Sequence, residues 1–334
     1  MNRISILLIS FIAIAAFSCS AVLSSKNEWS VSSPDGRLCM ILKLDSKTGK
    51  IGYSAMMRNG KDTVTLIGSS PLGIILKNQS FMADLDFSHA AEIRTINDEY
   101  TLASGKQLVN KATAKEISVS FKNIYKETIT IIMRAYNDGL AFRYYLPKKE
   151  NTTHIITADL TGFNIPEGSK AWLQPYDKIK RYSPAYEKYY TEVLSGIKAP
   201  DTEGWCFPAL FEINNHWILI TEADHDGTSP AFHLSPDAEE GTYNLRQPES
   251  KEAENTGNNL TTTTLPWKSP WRVIIASDSL DGIIQSQLVN NVARPPINID
   301  FSWVKPGRSS WSWWSDRSSS RNADKLKSFI DLSS

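Results

Sequence analysis

The chain has 334 residues, enough for two domains or one large β domain. Hydrophobic residues make up 41% and charged residues 22%, the balance of an ordinary soluble globular protein. With 36 basic against 36 acidic residues the formal charge is zero and no basic stripe is present, which argues against nucleic acid and against an anionic membrane surface as partners.

The chain opens with a targeting segment, residues 1–19. Arg3 supplies a positive n-region, and Ile4 to Phe17 is a largely apolar run too short for a comfortable membrane span. Ala16-Phe17-Ser18-Cys19 then places small residues before a cysteine. Three readings stand: a lipoprotein signal with a lipid on Cys19, ordinary secretory cleavage just beyond it, or an uncleaved anchor. Each exports the protein, and a membrane enters only through that lipid or anchor. Beyond Cys19 only Cys39 and Cys206 remain. They are either two buried, unpaired thiols or a disulfide permitted by export. His89, His154, His216, His225 and His233 form no HExxH pattern and no cysteines have zinc spacing, so a zinc enzyme is disfavoured.

From Trp29 to about Ser277 the pattern is strands and turns. Leu38 to Leu44 is apolar-rich, 45–50 is a turn cluster, and Ile51 to Met57 returns. Asn59-Gly60 signals a hairpin, because both residues tolerate positive φ. Short strands are expected at Thr63 to Ile67 and Leu72 to Leu76. Ile117, Val119 and Phe121 alternate with polar residues, giving one buried face. Thr128 to Tyr136 and Leu140 to Leu146 flank a second hairpin signal, Asn137-Asp138-Gly139. Further strands are expected at Ala171 to Leu173, Ala209 to Ile213, Trp217 to Thr221 and Trp271 to Ala276. Asp237 to Thr264 is polar and reads as loops and solvated strands. Many short strands with little helical patterning imply a mainly β fold, a large sandwich.

After Ser277 the character changes. Asp281 to Val289 suits a short helix, and Arg294-Pro295-Pro296 breaks regular structure. Trp303 to Pro306 is an entry segment, Ser309 to Trp314 a strand, and Asn322 to Leu332 a helix with Asn322 as N-cap. Such a strand–helix unit cannot bury its own apolar face. Trp311, Trp313, Trp314 and Asp316 are the candidate substrate-binding residues: indole faces stack on the C–H faces of sugar rings, and a carboxylate binds hydroxyls or a metal. On a strand, Trp311 and Trp313 share one face and Trp314 takes the other. The competing reading makes a tryptophan pair core and Asp316 a solvated loop carboxylate or helix cap.

Three stretches together resemble glycoside hydrolase family 97: Ser33-Pro34-Asp35-Gly36 leading into Ser70-Pro71-Leu72-Gly73; Arg134 through Tyr144 around Asn137-Asp138-Gly139; and Pro270 to Ile275 through Trp303-Val304-Lys305-Pro306-Gly307 to Trp311–Asp316. The resemblance implies a galactose-mutarotase-like β-supersandwich over 24–294. It also implies a linker and the first βα unit of a catalytic (β/α)8 barrel over 295–334, a barrel not completed in this chain. It implies an α-glucosidase or α-galactosidase, an oligosaccharide or glycoside substrate, and catalytic carboxylates beyond Ser334, so that no catalytic residue lies in this chain. It further implies a calcium ion near the active site to which the sandwich lends one glutamate; Glu187 is the candidate, with Glu192 behind it. The expected location is the periplasm or a membrane-anchored lipoprotein of a Gram-negative bacterium. A non-catalytic glycan-binding sandwich lipoprotein is the alternative. Arg134 and Arg143 read as ion-pair or loop-anchoring residues. Asp224 and Asp226 resemble a small metal loop that lacks the remaining ligands, and read as a solvated turn.

Overall fold

The computed structural model describes residues 27–178, 186–253, 259–295, 300, 302–305 and 307–334. The targeting segment with Cys19 lies outside the described residues, as do 179–185, which precede Glu187. The chain separates into a unit that ends at Ala293 and a second unit, Arg294–Ser334. Among the described residues no helix is long and apolar enough to cross a membrane.

The first unit is built on antiparallel strands. They are β1 (Glu28–Ser32), β2 (Leu38–Leu44), β3 (Ile51–Asn59), β4 (Asp62–Pro71), β5 (Ile74–Leu76), β6 (Gln79–Ser80), β7 (Asp86–Ala90), β8 (Arg94–Thr101), β9 (Val109–Lys122) and β10 (Thr128–Tyr136). There follow β11 (Gly139–Asp159), β12 (Gly162–Asn164), β13 (Lys170–Leu173), β14 (Thr191–Leu194), β15 (Ala209–Ile213), β16 (His216–Ala223), β17 (His233–Leu234), β18 (Thr242–Arg246), β19 (Thr261–Lys268) and β20 (Trp271–Ser277). β1 to β4 make a four-stranded meander. A thirteen-stranded sheet runs β14-β13-β15-β16-β20-β11-β10-β9-β7, with β5, β6, β8 and β19 attached to its flanks. β12, β18 and β17 form a third sheet.

Period-two patterning decides which face is buried. Ile51, Tyr53, Ala55 and Met57 on β3 point inward, as do Ile129, Ile131, Met133 and Ala135 on β10. The two inner faces meet in one core, where Tyr53 packs on Phe142 at 4.7 Å and Trp29 on Phe121 at 5.5 Å between ring centroids. The hairpin signals fold as expected: Asn59 pairs with Asp62 around Gly60 (φ 62), and Tyr136 pairs with Gly139. A Cβ at residue 139 would stand 2.4 Å from the Ile274 carbonyl oxygen, so that position requires glycine. Cys39 and Cys206 are both buried and make no disulfide with each other, in line with the first of the two readings.

Three elements differ from the sequence reading. β11 is 21 residues long, continuing through a polar stretch with two register shifts against β19, where alternation fails to advertise a strand. β8 and the first half of β9 are a solvated hairpin; their cross-strand pairs are ionic, Lys111 with Glu99 and Arg94 with Glu116. The single helix expected over 281–289 is two, α1 (Leu280–Gln285) and α2 (Leu288–Val292). Ser286 causes the break: its hydroxyl donates to Asp138 and accepts from the Leu288 N–H, so the chain turns there.

A buried ionic knot ties the large sheet together. Arg272 on β20 is 1% exposed; it pairs with Asp159, at the end of β11, at 2.5 Å, and with Glu222 on β16. On the opposite side of the same strand, the Trp271 ring lies between the guanidinium groups of Arg134 and Arg143, at 4.8 and 4.6 Å. Arg134 is paired with Glu116 and Arg143 with Asp224. Asp224 is therefore a buried counter-ion rather than part of a solvated turn, whereas Asp226 accepts from Thr228 in an exposed turn. Removing Arg272 leaves two carboxylates without a counter-ion. Arg272→Met is expected to lower unfolding stability by about 3–5 kcal/mol or more, read from the urea midpoint, whereas Arg94→Met at the exposed rim should cost under about 1 kcal/mol.

Candidate functional site

The second unit carries the tryptophans. The strand expected over Ser309 to Trp314 is instead a helical turn, α3 (Ser312–Ser315), and the described residues of this unit contain no strand. A barrel strand needs a neighbour for its backbone groups; a helical turn satisfies them locally. The expected helix is present as α4 (Ala323–Ser333), and Asn322 caps it, accepting from the Asp324 and Lys325 N–H groups. So the first βα unit of the sequence reading is here a helical turn followed by a helix.

This local change alters the aromatic geometry. Trp311 stacks on Trp313 at 6.2 Å and on Trp314 at 5.2 Å, so the three rings gather in one cluster instead of dividing between two faces. All three remain open to solvent; Trp314 is 80% exposed. Asp316 closes the turn, accepting from the Ser318 N–H and hydroxyl and pairing with Lys325 on α4. Those contacts, the lysine first, hold its carboxyl down at about 2. Asp316 is thus an ionised anchor for α4 beside the tryptophans.

Glu187 lies in the first unit, on an anchored segment. Gln174, buried at the end of β13, donates to the carbonyls of Tyr186 and Lys188 at 2.9 and 2.6 Å, gripping the backbone on both sides of Glu187. Lys188 donates to the Tyr176 carbonyl and to Asp201. Glu187 itself is exposed, among Tyr186, Tyr189 and Tyr190, which are also exposed. Glu192 sits apart on the edge strand β14, opposite Trp172. Calcium takes about six to eight oxygens, and among the described residues no three His, Cys, Asp or Glu side chains gather to hold a metal. Glu187 stands as a single exposed carboxylate on this segment.

Behind this segment, Tyr176 stacks on His233 at 3.9 Å and donates its hydroxyl to Glu252. No local sequence signal marks Gln174, Tyr176 or His233, because their contacts are made across the chain. The buried carboxylates Glu116, Asp159, Glu222 and Asp224 are each engaged by an arginine, which makes them structural counter-ions.

Residues 31–295, the sandwich, match the family described as Glycosyl-hydrolase 97 N-terminal. The chain belongs to glycoside hydrolase family 97. Its family relatives include a probable retaining alpha-galactosidase of Streptomyces bingchenggensis, 26% identical across 93% of this chain and 45% of the relative. A retaining alpha-galactosidase of Bacteroides thetaiotaomicron is 21% identical across 89% and 46%. The chain thus spans about half the length of the curated relatives it matches. Among solved structures, a beta-arabinopyranosidase shares the fold with a TM-score of 0.80 at 27% identity, covering 91% of this chain and 48% of that one. A family 97 enzyme from Pseudoalteromonas sp. strain K8 in complex with acarbose shares the fold at a TM-score of 0.69 and 23% identity, covering 86% and 41%.

Burial pushes the His233 imidazole down to about 4, with Arg246 adding to the effect. The folded value lies below the unfolded one of about 6.5, so the unfolded chain binds the extra proton first and stability falls as pH drops between those values. From about pH 7 to about pH 4 this group is expected to remove roughly 3 kcal/mol. Urea midpoints at the two pH values check this: His233→Gln should lose distinctly less stability on acidification than the parent.

Proposed function

We propose that this chain supplies the β-sandwich of an exported glycoside hydrolase acting on α-galactosides or α-glucosides. The observation that carries the reading is the family match along the whole sandwich, joined to two curated relatives both named as alpha-galactosidases. Those names weight the choice toward α-galactosides. The solved relative bound to acarbose supports a saccharide ligand.

In this reading the catalytic carboxylates lie in the part of the relatives that this chain does not span. Glycoside hydrolysis requires two carboxyl groups flanking the scissile bond, one of them able to donate a proton. The buried carboxylates of the sandwich are already engaged by arginines and so are poor candidates for that pair. The sandwich contributes a wall of the pocket through the segment Gln174 anchors, and Glu187 gives one oxygen ligand to a calcium completed by groups elsewhere. Trp311, Trp313 and Trp314 offer aromatic faces to the sugar, with Asp316 beside them. Residues 1–19 direct export to the periplasm, and Cys19 carries a lipid if the signal is of the lipoprotein type.

Sequencing the gene past codon 334 tests this directly. The frame is expected to read on into further βα units, and its product to release the aryl alcohol from an aryl α-galactoside or α-glucoside. The 334-residue chain alone is expected to release none. A stop directly after codon 334, or hydrolysis by the 334-residue chain itself, would overturn the reading.

A further inference from the structure

A small aromatic-walled cavity lies within the sandwich. It holds about 180 Å³ and is walled by Tyr176, Tyr186, Phe207 and Phe232; Thr221, Glu222, His225 and His233 add polar side chains to the lining, and burial lowers the pKa of the His225 imidazole, favouring its neutral form. At about 30 Å³ per water this is the room of roughly six waters, well under the ~300–1,000 Å³ that drug-sized ligands occupy. It suits one small ring.

The charges around it cancel. Glu222 is neutralised by Arg272, whose guanidinium also lies 4.9 Å from the Phe232 ring centroid. The second oxygen of Glu222 accepts the Phe232 N–H, and the Tyr176 hydroxyl is committed to Glu252. His233 is 2% exposed and neutral at physiological pH. Among the described residues no metal-holding cluster is present here or elsewhere. A cavity without net charge disfavours phosphates, carboxylates and ammonium ions. Flat aromatic walls accept a ring with apolar C–H faces.

We propose that this cavity is a binding subsite for a single neutral pyranose ring, held between the Tyr176–Tyr186 side and Phe207 and Phe232. The choice of a sugar among neutral polyols rests on the glycoside hydrolase reading; the existence of the subsite does not. Its lining residues all lie in the sandwich unit. It binds a sugar without reacting with it, because its one carboxylate is locked to Arg272. Tyr186 is its adjustable wall: half exposed, in an edge-on contact with Tyr176, and carried on the segment that Gln174 grips.

Saturation-transfer NMR and titration calorimetry on the 334-residue chain test this, with galactose, glucose and their methyl α-glycosides as probes and galacturonate as the charged control. Neutral pyranoses are expected to bind and galacturonate at least about tenfold more weakly. Tyr186→Ala is expected to cost at least about tenfold in affinity. Phe207→Leu keeps apolar volume and should weaken binding too, covering the case in which Tyr186→Ala disturbs folding. Arg94→Met, on the solvated β8–β9 hairpin, should leave affinity unchanged. No binding by the wild type, equal binding of galacturonate, loss of binding in Arg94→Met, or full affinity in both folded wall variants would each overturn the proposal. None of these results depends on the frame beyond codon 334, so failure here is distinguishable from failure of the hydrolase reading.

Discussion

Everything in the large sheet depends on the burial of one guanidinium. Arg272 sits where three strands must stay in register, with Phe142 opposite it on β11 and Glu222 opposite it on β16. Removing three charges from water is costly, and the cost is recovered only if each finds its partner in good geometry. The knot therefore penalises a slip of β16 or β20 by one residue, which would turn Arg272 or Glu222 to the other face. Apolar packing alone would tolerate more error. The Trp271 sandwich on the opposite face acts on the same strand, so β20 is fixed from both sides.

That arrangement explains where function can reside in the first unit. The buried carboxylates of the sheet are engaged by arginines, leaving chemistry to the margins: Tyr186 to Tyr190, the cavity beside Tyr176, and Asp226 in its exposed turn. Gln174 shows how the margin is controlled. A single buried amide spans two carbonyls, so the exposed carboxylate between them has a stiff mount while its own side chain remains free to meet a ligand.

The sandwich was largely legible in the sequence because period-two alternation and Asn-Gly or Asp-Gly turns are local signals. β2, β10 and β15 have the expected ends, and β3, β13, β16 and β20 differ by a residue or two. Illegible parts were those whose strand character comes from partners: the polar middle of β11 and the solvated β8–β9 hairpin. The Ser286 break was hidden because it depends on Asp138, far away in sequence. In the second unit the Asn322 cap was readable from residue type and position. The strand before it was not borne out, since a strand is defined by neighbours and the tryptophans follow a helical turn. Aromatic and acidic candidates could be named from the sequence, but not their grouping, nor the Gln174 grip, nor the Tyr176–His233 stack.

The two buried cysteines have a consequence for the life of the protein outside any particular compartment. Burial raises the Cys206 thiol to about 12, so at neutral pH almost none of it is the thiolate that attacks disulfides or oxidants. Cys39 is likewise enclosed, in the β1–β4 sheet. The two thiols of the folded sandwich are thus shielded from oxidants and from disulfide exchange. Among the described residues the sandwich's stability rests on packing and ion pairs.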